Sequence, residues 1–162
     1  MIVLALDLGT DTGYALGEST QSSPTLGHWT LATKKEITQW GQNRLSRRAD
    51  PRIFRLFLHL QNISPSPDLV VFEDVQFQTY TFQTQLWSSL RAAIWCALPT
   101  TLTDCVPVAT LKKFATGSGF ADKEKMMNSL LRHSPSVNRA TLTDDEADAA
   151  WLWHWAVKHH KH

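Results

Sequence analysis

The segment Leu69–Asp74, LVVFED, constrains the fold most strongly, because it is a continuous apolar run that ends in two carboxylates. It lacks the alternation of a half-buried strand and is typical of a strand buried on both faces. Such a strand requires helices on either side of its sheet. The segment therefore predicts the middle of a helix-covered sheet and a mixed α/β fold.

Other patterns predict the elements around this strand. Ile2–Asp7 is a short apolar strand, residues 8–18 contain three glycines that predict turns and short strands, and residues 26–33 predict the third strand of a meander. Residues 34–43 are polar and are predicted to be loop. One further strand is predicted over residues 101–108, and helices over residues 44–62, 85–98, 110–115, 122–133 and 144–160. Pro51 either begins the first of these helices or kinks it.

The 162-residue chain has the length of one domain, and no repeat or low-complexity tract divides it. We therefore expect a single domain over residues 1–162. No apolar run reaches the ~20 residues of a membrane span, and the N-terminus lacks the basic start of a signal peptide. These features favour an intracellular protein without membrane association. Cys96 and Cys105 show no metal-ligand spacing, which favours two free buried thiols over a disulfide.

The formal net charge of +1 hides an uneven distribution of charge. One basic cluster lies within residues 34–55 and includes Arg44, Arg47 and Arg48, which could follow a DNA arm or form a solvated helix face. A second basic cluster contains Lys112, Lys113, Lys123 and Lys125. These two basic clusters are compatible with a basic surface around an acidic metal site.

Four carboxylates stand at positions that a metal site would use. Asp7 ends the first strand and Glu73 lies near the end of the central strand, so both emerge at one sheet edge if the strands are neighbours. Asp145 and Asp148 are spaced i,i+3 and share one face of the last helix. A carboxylate at any one of these positions is more often a turn or helix-cap residue. The combination of all four indicates a catalytic metal site.

A helix that begins at Thr143 would place the two aspartates in its first turns. Thr143 and Glu146 have the spacing of a capping box, and the helix dipole favours negative charge there. Four carboxylates offset the charge of two divalent cations, for which hard oxygen ligands are preferred. Two Mg²⁺ ions, with Mn²⁺ as a substitute, are the predicted cofactors of phosphodiester hydrolysis.

Four stretches carry a resemblance that extends over nearly the whole chain. They are ALDLGTDTGYAL, VVFEDV, TLKKFATGSGFADKEKM and DDEADAAWL. In content and order they resemble the RuvC-like Holliday-junction resolvases, especially the short forms of phages. The resemblance implies an RNase H-like fold with a central mixed five-stranded sheet flanked by helices.

The resemblance also implies the site and the activity. The metal ligands would be Asp7, Glu73, Asp145 and Asp148. Lys112 and the lysine eleven residues later, Lys123, would contact DNA phosphates near the cut, a role that suits point charges. Members cut branched DNA as homodimers, leaving 5′-phosphate and 3′-hydroxyl ends.

One position departs from the family pattern. Cellular members commonly carry an aromatic residue three positions after the glutamate, where this chain has Gln76 followed by Phe77. Phe77 is the candidate for stacking on a base at the junction, with packing under the loop as the equal alternative.

The helix predicted over residues 85–98 is the candidate for pairing two copies. One apolar stripe holds Leu86, Leu90, Ala93 and Ala97, and further apolar residues extend around it. One face of this helix can pack against the sheet while another face contacts a second copy of the chain. The alternative is that the whole helix is buried within its own monomer.

Three other functions remain open at this point. The segment DLGTDTG also resembles the phosphate loop of actin-like ATPases and kinases, which use two such domains. A second alternative is another nuclease of this fold, of the RNase H or ribosomal-RNA-processing type. The third is a module that binds junctions without cutting them.

Overall fold

The computed structural model describes residues 1–42, 50–75 and 81–160. The strands are β1 (Ile2–Asp7), β2 (Asp11–Glu18), β3 (Thr25–Thr30), β4 (Leu69–Asp74) and β5 (Leu102–Pro107). The helices are α1 (Lys34–Gln42), α2 (Pro51–Gln61), α3 (Thr81–Ala97), α4 (Val108–Thr116), α5 (Lys123–His133) and α6 (Asp144–His159).

The five strands form one mixed sheet in the order β3-β2-β1-β4-β5. β1 lies at the centre, antiparallel to β2 and parallel to β4, and β5 continues the parallel half. The parallel half therefore brings the carboxyl ends of β1, β4 and β5 to one edge. This confirms the predicted RNase H-like α/β architecture.

Helices cover both faces of the sheet, and each face has its own apolar core. On one face, α2 and α3 pack against Leu4, Leu6, Val70 and Phe72. On the other face, α4, α5 and α6 pack against Val3, Ala5, Leu69, Val71 and Val106. Because successive residues of a strand point to opposite faces, β1 and β4 contribute alternate side chains to the two cores. Burial on both faces explains the continuous apolar run of β4.

Local signals explain where two of the helices begin. α2 begins at Pro51, with the Asp50 carboxylate accepting a hydrogen bond from the Arg52 backbone amide, so proline starts this helix rather than kinking it. α6 follows the capping box of Thr143 and Glu146, as predicted.

Several sequence expectations were wrong in detail. Residues 34–42 form α1 instead of a loop, and residues 11–18 form one strand instead of turns and short strands. α3 begins at Thr81, four residues earlier than predicted, because polar residues continue the helix beyond its apolar stripe. Cys96 and Cys105 are free, as expected, but exposed instead of buried.

Some predicted DNA contacts lie outside the described residues, namely Arg44, Arg47, Arg48 and Phe77. Within the described part of the chain, no helix combines the length and apolarity needed to cross a membrane.

Candidate metal-binding active site

Asp7 and Glu73 lie side by side at the carboxyl edge of the two central parallel strands. Leu6 and Phe72 are the last positions at which β1 and β4 pair, and the next residue of each strand is Asp7 or Glu73. Strand alternation turns both carboxylates toward the face that α4, α5 and α6 cover. The predicted convergence of the two strand-end carboxylates is therefore present.

The start of α6 lies against this same edge because β2 has a glycine there. Gly13 is the ladder partner of Asp7. A Cβ atom at position 13 would stand 2.0 Å from the Asp145 carbonyl oxygen and 2.8 Å from the Glu146 amide nitrogen. Only a residue without a side chain permits this approach, which carries Asp145 and Asp148 toward Asp7. The sequence pattern predicts Gly13 only as a turn residue and does not indicate this close approach of α6.

The capping box fixes the orientation of α6 and connects it to the sheet. The Thr143 amide donates to the Glu146 carboxylate at 2.9 Å, and the Glu146 amide donates to the Thr143 hydroxyl at 3.2 Å. The second Glu146 oxygen lies 3.2 Å from Nδ1 of His28 on β3. The first turn of α6, which carries two of the four carboxylates, is thus held by Thr143 of its own cap and by His28 of β3.

All four carboxylates have pKa values above their ordinary range, and burial is the largest cause for each of them. Burial raises the pKa of Asp7 well above its ordinary value, and the charges of Glu73, Asp148 and Asp145 raise it further. Burial, then Asp148, raise the pKa of Glu73 to about 7. Burial raises the pKa of Asp148 to about 6, with an added contribution from Asp145. Such groups resist ionisation together unless positive charge lies near them.

Two lysines supply part of that positive charge. Lys112 on α4 lowers the pKa of Glu73 and of Asp148 against the effect of burial. Lys123, the first residue of α5, acts similarly on Asp7 and Asp148, and its Nζ lies 3.2 Å from the Asp144 carboxylate. The helices α4 and α5 therefore bring both predicted lysines to the carboxylate cluster. Lys113 is exposed beside them.

Solved structures share this arrangement of elements. Thermus thermophilus RuvC matches with a TM-score of 0.69 at 15% identity, over 98% of this chain and 96% of that one. The structure of T. thermophilus RuvC in complex with Holliday junction substrate matches with a TM-score of 0.73 at 17% identity. The match covers 98% of this chain and 92% of that one. The chain has a RuvC-like fold.

A viral protein gives a weaker match to the same fold. Fowlpox virus resolvase, solved with substrate Holliday junction DNA, matches with a TM-score of 0.52 at 12% identity, over 98% of this chain and 97% of that one. No protein-family model and no curated protein sequence matches the chain.

The donor set of this RuvC-like fold suits divalent cations by its chemistry. Carboxylate oxygens are the ligands that Mg²⁺ and Mn²⁺ prefer, and four of them with raised pKa values would be relieved by cations. In their present positions, no three or more His, Cys, Asp or Glu side chains within residues 1–42, 50–75 and 81–160 form a group that could hold a metal ion. Cation binding by the four carboxylates would therefore need their side chains to turn toward a shared centre.

Arg91 of α3 braces the end of β4 and was not predicted as part of the site. Its guanidinium donates to the Asp74 carboxylate at 2.5 Å and lies over the Phe72 ring, 5.3 Å from the centroid. It also lies 3.5 Å from the Glu73 carbonyl oxygen. The arginine therefore contacts the side chains on both sides of Glu73 and the carbonyl oxygen of Glu73 itself.

Proposed function

We propose that this chain is a divalent-metal-dependent endonuclease that cuts branched DNA, including four-way junctions. The observation that supports it most is the placement of Asp7 and Glu73 on the sheet face that carries α6, with Asp145 and Asp148 brought to them by Gly13. The RuvC-like fold adds support, because solved proteins of this fold are bound to Holliday junction DNA.

The residues have distinct roles in the proposed reaction. Asp7, Glu73, Asp145 and Asp148 would hold two Mg²⁺ ions, or Mn²⁺ in their place. Such ions, when bound, supply an activated water and charge relief at the leaving oxygen. The carboxylates of β1 and β4 are held by the sheet and those of α6 by the capped helix, so the ligands are positioned by rigid elements.

The lysines would bind the DNA phosphates on either side of the cut. Lys112 and Lys123 belong to two different helices and both lower the pKa of Asp148, so a strand entering the site would meet positive charge from two elements. Phosphate binding by lysines also explains how an acidic centre accepts a polyanion. The products would carry 5′-phosphate and 3′-hydroxyl ends.

We further propose that two copies pair through an apolar surface formed by α2 and α3. Phe54 is 61% exposed and Leu58 is 41% exposed, although α2 buries its other face. A cleft of about 530 Å³ lies between the helices, and its lining is Ile53, Phe54, Phe57, Ser89, Ala92, Ala93 and Cys96. A two-fold dimer would present two equivalent sites, as two cuts in a symmetric junction require.

The proposal is tested by offering four-way, Y-shaped and linear DNA of matched sequence with Mg²⁺, with Mn²⁺ and with chelator. We expect metal-dependent cutting of the branched substrates and at least about a tenfold preference over the linear duplex. Asp7→Asn should lower the rate of cutting by at least about a thousandfold and leave junction binding within about threefold, because one metal ligand is lost without loss of the basic surface.

Asp68→Asn is the matched control, since Asp68 precedes β4 at the opposite end of the sheet and bonds the Ile2 amide. It should cut at the wild-type rate. Wild-type cutting by Asp7→Asn would refute the assigned site. Equal cutting of all three substrates would refute selectivity for branched DNA but leave the nuclease assignment standing. An RNA duplex of the same sequence is offered in parallel, and cutting of this RNA alone would favour an RNA-processing nuclease of the same fold.

A further inference from the structure

Phe120 is an aromatic residue that the fold leaves 97% exposed. It lies between α4 and α5, where the chain turns from Lys112 toward Lys123. Burying a phenylalanine is worth about 1.5–3 kcal/mol, so an aromatic ring held in water forgoes that stabilisation. Its exposure contrasts with its neighbour Ala121, which is only 1% exposed.

The loop presents Phe120 from a hydrogen-bonded turn. The Thr116 hydroxyl donates to the Ser118 carbonyl at 3.1 Å and accepts from the Ser118 amide at 3.2 Å. The Phe120 amide donates to the Ser118 hydroxyl at 3.3 Å. Gly117 has a φ of 82°, which closes α4 and turns the chain outward. Because these hydrogen bonds already order the backbone around Phe120, binding of the ring costs little backbone entropy.

A cleft of about 520 Å³ lies beside the Phe120 ring. Its lining is Ala109, Thr110, Lys113, Gly117, Ser118, Gly119 and Phe120. The cleft combines an aromatic side with hydroxyl, backbone and ammonium groups. Apolar surface with a few polar groups is typical of sites for small planar ligands, and a cleft of this volume has room for one nucleobase.

The cleft and the carboxylate site share helix α4, which contributes Ala109, Thr110 and Lys113 to the cleft and Lys112 to the site. Lys113 follows Lys112, whose charge acts on Glu73 and Asp148, and Lys123 begins the helix after the loop. Because Phe120 lies three residues before Lys123, a DNA strand whose phosphates were bound by Lys112 and Lys123 would lie close to this segment. The occupant that fits this position is therefore part of the DNA substrate.

We propose that Phe120 stacks on a nucleobase of the branched DNA, with Lys113 contacting the phosphate of the same nucleotide. The inference rests on the proposed function, because it places DNA at the carboxylate site. Bases at a branch point can leave the helical stack at lower cost than bases within a duplex. Stacking on Phe120 would then favour branched over linear DNA at the point where the strand is cut.

Binding of Asp7→Asn protein to a four-way junction and to linear duplex tests the inference without cutting. Stacking on an aromatic side chain contributes enough per base that adding Phe120→Ala should weaken junction binding about 5- to 100-fold. Binding to linear duplex should change by less than about twofold. Phe120→Tyr should retain junction affinity, whereas Phe120→Leu, apolar without an aromatic face, should behave like Phe120→Ala.

A fluorescent base analogue, 2-aminopurine, placed at the branch point gives a second measurement. Stacking should quench its fluorescence on binding of the protein with Phe120 or Tyr at this position, and the Phe120→Leu protein should give no such quenching. Leu102→Ala is the matched control, because Leu102 is 71% exposed at the start of β5, at the opposite end of the sheet. It should leave affinity and quenching unchanged.

The outcomes separate this inference from the proposed function. Unchanged junction affinity and quenching in Phe120→Leu, with wild-type cutting intact, would overturn the inference and leave the nuclease assignment in place. An equal loss of affinity for junction and duplex would also overturn it, because the contact would then not depend on the branch. Failure of the Asp7→Asn protein to bind any DNA would overturn both.

Discussion

Burial and like charge act together on Asp7, Glu73 and Asp148, and both raise the pKa values of these carboxyl groups. A domain stable by only about 5–15 kcal/mol carries this arrangement as a net cost. Nearby lysines offset part of the charge, but two of them face four carboxylates. The arrangement is understandable for a site whose remaining charge is supplied by cations and substrate.

Replacing one of these carboxylates should therefore stabilise the metal-free protein. We expect Asp7→Asn to raise the free energy of unfolding in chelator by about 0.5–2 kcal/mol, since the amide keeps the shape and removes one repelling charge. For a domain of this size, that corresponds to a rise in Tm of about 2–4 °C per kcal/mol. Thermal unfolding followed by circular dichroism measures the stability of the metal-free protein in chelator and of the metal-bound protein in Mg²⁺.

The same experiment tests whether Asp7 binds cations. Wild-type protein should gain stability on addition of Mg²⁺, and Asp7→Asn should gain much less. Asp68→Asn, away from the site, should respond to Mg²⁺ like the wild type. A lower Tm for Asp7→Asn than for wild type in chelator would show that repulsion among the carboxylates is not the dominant effect at this position.

Among the secondary-structure elements, α1 and α6 both begin with the spacing of a capping box, but the sequence pattern predicted only α6 as a helix. Thr143 and Glu146 correctly predicted the start of α6. Thr33 and Glu36 have the same spacing, and the Glu36 carboxylate accepts from the Thr33 amide at 2.8 Å. α1 was nevertheless predicted to be loop, because its polar sequence lacks an apolar stripe. The capping signal, and the ion pair of Glu36 with Arg55, decide the structure there.

The role of Gly13 could not have been predicted from local sequence. It lies inside a strand, where glycine is usually unfavourable, and its reason is the approach of a helix start more than 130 residues later in the chain. Asp7 and Glu73, by contrast, could be predicted, because strand alternation and adjacent parallel strands bring them together. Sequence patterns identify the four candidate metal ligands. The close backbone contact at Gly13 decides how Asp145 and Asp148 reach the site.

Gly13→Ala should separate α6 from the sheet at the site. Its methyl group would stand 2.0 Å from the Asp145 carbonyl oxygen, a backbone atom that can move only with the helix. We expect a loss of about 1–3 kcal/mol in the free energy of unfolding, as for other overpacked positions, and a fall in Mg²⁺-dependent cutting of at least about a hundredfold. Urea unfolding and junction cleavage measure the two effects.

Gly41→Ala provides the matched control within the same protein. Position 41 lies in α1 with nothing within 4 Å of an added Cβ, so alanine should stabilise the helix by about 0.5–1 kcal/mol and leave cutting unchanged. Wild-type stability and cutting in Gly13→Ala would contradict the assigned role of Gly13.

For the whole molecule, the sheet separates two surfaces with different chemistry. The four carboxylates and both lysines lie on the face of α4, α5 and α6, and the exposed Phe54 lies on α2 across the sheet. Apart from α1, the order of strands and helices could be predicted. The outward face of α3 could not, because its apolar residues extend around the helix. Contacts in the structure distinguish buried Leu90 and Ile94 from exposed Trp95.

This separation allows the proposed dimer to be disrupted without altering the carboxylate site. We expect Phe54→Glu to weaken self-association by at least about tenfold, because a charge would be placed in apolar surface that pairing removes from water. Sedimentation at a series of protein concentrations measures the change. On a plasmid with an extruded cruciform, paired cuts by the wild type yield linear DNA. The variant should still cut single strands and accumulate nicked circles, since each copy carries a full set of carboxylates.

Leu102→Glu is the control for the added charge, because Leu102 is 71% exposed on the edge strand β5 and not on α2 or α3. It should self-associate and linearise the plasmid like the wild type. Unchanged association of Phe54→Glu would show that pairing uses another surface. A wild-type protein that is monomeric at all concentrations and still linearises the plasmid would show that two cuts do not require a stable dimer, and the pairing of the two sites would then have to occur on the DNA.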